Sequence, residues 1–134
     1  MPLNEAYHYY KENSIYTASP EELTLMLYNG LVKFIMQARQ AVEENSIEKA
    51  NNSIQRAQDI IMEFQSTLDT KYEISKELAL LYDYMHRRLV EANIKKNRDI
   101  LEEILDFARE LRDTWAQAMK LAKRQKKADQ AANG

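Results

Sequence analysis

Cysteine is absent from this chain of 134 residues, which excludes disulfides, thiolate chemistry and sulfur-rich zinc sites. Glycine and proline are nearly absent too. Gly30 is the only representative of these two helix-interrupting types between residues 21 and 133. The chain is therefore expected to form long helices. Histidine occurs only as His8 and His86, too few for the usual histidine-rich catalytic or metal constellations. No apolar run approaches the roughly 20 residues that span a bilayer, so membrane insertion is not expected. A net charge of −2 provides no general attraction to nucleic acid. The lack of an apolar leader behind a basic start, together with the lack of cysteine, gives a cytoplasmic expectation.

What is present is apolar residues at helical spacing, 45% of the chain, beside 30% charged residues. The reading is all-α, an antiparallel up-and-down four-helix bundle with an N-terminal extended or short helical arm. Residues 1–18 form the arm, which carries Tyr7, Tyr9, Tyr10, Ile15 and Tyr16. Ser19, Pro20 and Glu22 then make a helix start: a capping hydroxyl, a proline at the first helical position and the acid of a capping box. Helices are expected over about 20–44, 47–68, 73–95 and 98–125, making a bundle of residues 19–127 with a disordered tail at 128–134. Asn45 and Ser46 break the first helix, and Asn97 is placed to cap the last.

The expected core of the first helix runs through Leu23, Met26, Leu27, Gly30, Leu31, Phe34, Ala38 and Ala41. The second contributes Ile47, Ala50, Ile54, Ala57, Ile61, Phe64 and Leu68 in unbroken steps of three and four. The third contributes Ile74, Leu78, Leu81, Tyr82, Met85, Leu89 and Ala92. The fourth contributes Leu101, Ile104, Leu105, Ala108, Leu111, Trp115 and Ala118. Short connections between such helices turn each one back beside its predecessor.

Few residues suggest chemistry. A di-metal carboxylate centre of the ferritin-like type needs two Glu-x-x-His pairs on separate helices, and the nearest fragment is the single Asp83-x-x-His86. No cofactor, metal or catalytic residue is assigned, and no enzyme activity is expected. The basic cluster from Lys120 to Lys127 reads as a complement to the helix macrodipole and a solubilising end. Arg87 has a partner four residues back in Asp83.

The first helix is anomalous. At about 100° per residue, Leu25, Tyr28, Val32 and Met36 fall opposite the face assigned to the core. A second apolar strip has to be covered by the arm or by a partner helix. Burying four such side chains is worth about 1.5–3 kcal/mol each, against about 2–5 kcal/mol for ordering a disordered client. A strip left open also favours weak homodimer formation by the empty chain, which a folded-over arm opposes.

Three blocks of this sequence resemble one family: NSIYTASPEELTLMLYNG from Asn13 to Gly30, LYDYMHRRLVEAN from Leu81 to Asn93, and LRDTW from Leu111 to Trp115. They are similar to the FliS family of flagellar secretion chaperones, over about Ala6 to Met119. The resemblance implies a bundle that binds the C-terminal segment of flagellin, prevents its premature polymerisation in the cytoplasm and delivers it to the export apparatus, where export-gate components become partners. His86 stands where the family is expected to carry an aromatic such as tyrosine. On this combined reading Tyr7, Tyr10 and Ile15 act in a displaceable arm, and Leu25, Tyr28, Val32 and Met36 form the apolar strip. Tyr82, Tyr84 and Arg88 join the client surface from the second block. The alternatives are a helical chaperone or regulator for a different client, or a ferritin-like metalloprotein.

Overall fold

The computed structural model describes residues 17–133, and four helices account for most of them: α1 Pro20–Glu43, α2 Ile47–Thr67, α3 Ser75–Lys95 and α4 Arg98–Asn133. The arm residues Tyr7, Tyr10 and Ile15 lie outside the described residues.

Local chemistry starts and stops the helices. The Glu22 amide donates to Ser19 Oγ at 3.2 Å, with Pro20 in the first turn. The return bond of a capping box is not made, since the Glu22 carboxylate has no partner among the described residues. The α1–α2 turn places Asn45 in the left-handed region at φ 59°, and the Ser46 amide donates back to Ala41 O at 2.8 Å. Lys96 does the same after α3, at φ 49°, with the Asn97 amide donating to Ala92 O at 3.1 Å. Asn97 then caps α4 by accepting from the Ile100 amide at 3.0 Å.

Each helix packs on its sequence neighbours, and α4 returns to α1, closing a four-helix bundle. Cross-links report the antiparallel sense. Trp115 Nε1 donates to Glu21 O at 3.0 Å at one end of the α1–α4 pair, and Arg98 binds Glu43 at the other. On the α2–α3 pair, Asn93 Nδ2 donates to Asn51 Oδ1 at 2.8 Å.

The core follows the expected seam through Ala50, Ile54, Ala57, Ile61 and Phe64 of α2, Tyr82, Met85, Leu89 and Ala92 of α3, and Leu101, Ile104, Leu105 and Ala108 of α4. Gly30 permits a close α1–α2 approach, because a Cβ there would meet Ile60 Cδ1 at 3.3 Å.

Several expectations are corrected. Ile47 and Ile74, assigned to the core, are 68% and 60% exposed; Ile47 opens α2 and Ile74 is the N-cap of α3, so both stand at helix ends. Ala118 is also exposed. The tail expected to be disordered from residue 128 continues α4 to Asn133, because Ala128, Gln130, Ala131 and Ala132 include no helix breaker.

The two apolar faces of α1 prove to be the flanks of one broad buried face. Tyr28 and Val32, placed opposite the core, are each only 5% exposed, and Ile35, assigned to neither stripe, is fully buried between them. The reason is tertiary: α1 packs heavily on both α2 and α4, so its buried arc is wider than one seam requires.

Candidate functional site: an apolar groove between α3 and α4

The α3–α4 contact is the sparsest of the four helix pairs, and its two halves are built differently. Toward the α3 C-terminus, polar groups tie the helices. Tyr84 donates its hydroxyl to Glu103 Oε1 at 2.9 Å, and Arg88 Nε reaches the same oxygen at 3.1 Å. Arg88 also binds Glu91 Oε2 at 2.5 Å, and Lys95 binds the other Glu91 oxygen at 2.8 Å. These contacts shift each group as expected for buried or paired charge. The Glu103 carboxylate raises Tyr84 and Arg88, while Lys95 and then Arg88 lower Glu91.

Toward the other end the seam opens into a groove of about 520 Å³. Leu78 and Leu81 form its α3 wall, with Ile74 at the mouth. Phe107, Leu111 and Trp115 form the α4 wall, with Glu110 and Thr114 on the rim. The spacing of Leu78 and Leu81, and of Phe107, Leu111 and Trp115, keeps each set on one side of its helix, and the separation of α3 from α4 leaves both sets half-buried.

Tyr28 of α1 lines the groove floor. Its ring lies 4.4 Å from that of Phe64, which in turn stacks on Tyr82 at 5.5 Å. The two tyrosine hydroxyls bond to each other at 2.9 Å, so the polar atoms beneath the groove are paired. Burial raises both hydroxyls; the mutual bond lowers Tyr28 in part and adds to the rise of Tyr82. Phe107 sits at the junction of the two halves, its ring edge-on to Tyr84 with centroids 6.1 Å apart.

The residues nominated from sequence are thus dispersed. Among the described residues of that set, only Tyr28 reaches the groove. Val32 and Tyr82 are internal, Leu25 is half-buried on α1, and Met36 is 40% exposed. Tyr84 and Arg88 belong to the polar tie. The groove walls were legible as apolar positions, but periodicity had placed them in the core. Phe107 was off the expected seam, and no sequence signal separated it from an ordinary surface aromatic.

The arrangement suits binding rather than bond-making chemistry. Its lining is almost wholly apolar, and no group of three or more His, Cys, Asp or Glu side chains among the described residues is placed to hold a metal. No helix there is long and apolar enough to cross a membrane.

Comparison with known proteins gives this groove a context. Residues 3–122 match the family described as Flagellar protein FliS. The flagellar secretion chaperone FliS of Bacillus subtilis is 45% identical over 119 residues, covering 89% of this chain and 90% of that protein. The Campylobacter jejuni FliS is 31% identical over 117 residues, covering 86% and 91%. FliSB of Pseudomonas aeruginosa is 32% identical over 106 residues, covering 78% and 84%. Matched along most of its length, this helical bundle belongs to the FliS family of flagellar secretion chaperones, a family of chaperones and not of enzymes.

Proposed function

We propose that this chain acts in the cytoplasm by holding the C-terminal segment of flagellin in the α3–α4 groove, keeping it from premature polymerisation until delivery to the export apparatus. The observation that carries this reading is the half-open seam: in a bundle whose other helix pairs meet more extensively, Leu78, Leu81, Phe107, Leu111 and Trp115 leave an apolar trough of about 520 Å³. An apolar trough between helices favours the apolar face of a client helix, with burial of each large side chain contributing about 1.5–3 kcal/mol.

The arm has a place in this mechanism. Trp115 bonds to Glu21, so α1 begins beside the groove, and residues 1–16 precede it in the chain. Extended, they reach about 50 Å, ample to lie along it. Tyr7, Tyr10 and Ile15 would cover the trough in the empty chaperone and yield to the client, and the same cover would oppose self-association.

Calorimetric titration with a peptide of roughly the last 40 residues of the cognate flagellin tests the proposal, since that length can form more than one helix. One-to-one binding with a negative heat-capacity change is expected. Replacing both Leu78 and Leu111 by Asp should weaken it at least about tenfold, and undiminished affinity in a variant that remains helical would remove the groove from the mechanism. Deleting residues 2–15 should speed association; an unchanged rate would eliminate the cover.

A further inference from the structure

The basic end of α4 loses its simplest explanation once the helix is traced. Complementing a macrodipole requires cations in the final turn, and the last turn of α4, which runs to Asn133, contains none. The cations sit earlier instead. Residues 120–133 hold Lys120, Lys123, Arg124, Lys126 and Lys127 against the single acid Asp129, while the chain as a whole is at −2.

Lys120, Lys123, Arg124 and Lys127 follow three-and-four spacing and so share one face. All four are exposed, and none has an ion pair or hydrogen bond among the described residues. Like charges at that spacing repel, and the neighbouring acids Glu21 and Glu22, which share a surface hollow with Lys123, stand at one edge of the face only. An anionic partner would relieve that repulsion. On the helical wheel the face lies about opposite the one that Leu111, Thr114 and Ala118 turn to the groove.

We infer that this face of α4 is a docking site for a short acidic segment of a partner protein. The occupant is short because the four cations span about 11 Å of helix axis. A protein segment fits better than the other polyanions. No aromatic residue follows Trp115 to stack on bases, and outside residues 120–133 acids outnumber bases, which repels a long phosphate backbone. Leu121 is the only large apolar side chain of the extension, too little to anchor a helix in lipid. Because the site faces away from the groove, it can be filled while the groove is filled.

Fluorescence anisotropy with the full chain and a labelled peptide of about twelve residues alternating Glu and Ala tests the site, with the peptide made long enough to cover the four cations. Binding at low salt should weaken at least about tenfold at 0.15 M salt. Lys120→Glu, Lys123→Glu, Arg124→Glu and Lys127→Glu together should reduce it at least about tenfold, and the four Gln substitutions, which keep helix propensity, should do the same. Lys33→Glu, Lys49→Glu, Lys71→Glu and Lys76→Glu make the same change in net charge on exposed positions elsewhere and should leave binding near the wild-type level. The site is overturned if the wild-type chain ignores the peptide at low salt, or if the control variant loses as much as the α4 variant. Tighter binding to phosphatidylglycerol vesicles or to a short DNA duplex than to the peptide would equally overturn it.

Discussion

The two halves of the α3–α4 seam are made from the same two helices and behave as different materials. In one half, Leu89, Leu101 and Leu105 are fully buried, and Arg88, Tyr84, Glu103 and Glu91 tie the rim. In the other, leucines at equivalent helical spacing stand half-buried along a trough. The difference teaches that an apolar stripe specifies a surface that needs covering, while the separation of the helices decides whether the bundle itself covers it.

The contrast is broken most directly by one substitution made in both halves. Leu105→Ala removes a fully buried side chain and should cost about 2–5 kcal/mol in chemical unfolding. Leu78→Ala should cost about 1 kcal/mol or less, because the groove already exposes part of that side chain to water. Equal losses would mean that the open half contributes to the fold as the closed half does.

The paired hydroxyls beneath the groove give a pH signature. Burial raises Tyr28 and Tyr82 above the ordinary 10.0, so their contribution is complete below pH 10 and is lost as pH rises beyond it. Stability should fall by up to about 1.4 kcal/mol per pH unit for each tyrosine in that range. Tyr28→Phe combined with Tyr82→Phe should flatten the alkaline slope; a slope as steep as the wild type's would place its origin elsewhere.

Glu103→Gln sharpens the comparison from the polar side. It weakens the tie to Tyr84 and Arg88 at a partly exposed site, so the stability loss should be smaller than for either leucine variant. Hydrogen exchange should rise around Arg88 and remain unchanged around Trp115 if the two halves open independently.

Much of the fold was legible in particular residues. Ser19, Pro20 and Asn97 marked helix starts, Asn45 and Ser46 marked a turn, and the three-and-four steps from Ala50 to Phe64 traced the α2 seam. The candidate site was less legible. Tyr28 and Val32 read as a strip to be covered from outside because one-helix periodicity cannot tell how many neighbours a helix has. Tyr84 and Arg88 were selected by resemblance to a family block, and the structure puts them in a tie between helices. Leu78, Leu111 and Trp115 read as core because their apolar character was visible and the width of the seam was not.

By itself, the residue pattern determined four amphipathic helices, their caps and short turns, and kinship with a chaperone family, since these depend on local backbone preferences and the order of apolar residues. Only the tertiary structure decided that α1 is gripped from two sides, that α3 and α4 part around an apolar groove, and that the basic face near the end of α4 turns away from it. Those features depend on the distances between helices, which arise when all four pack at once and are written in no single segment.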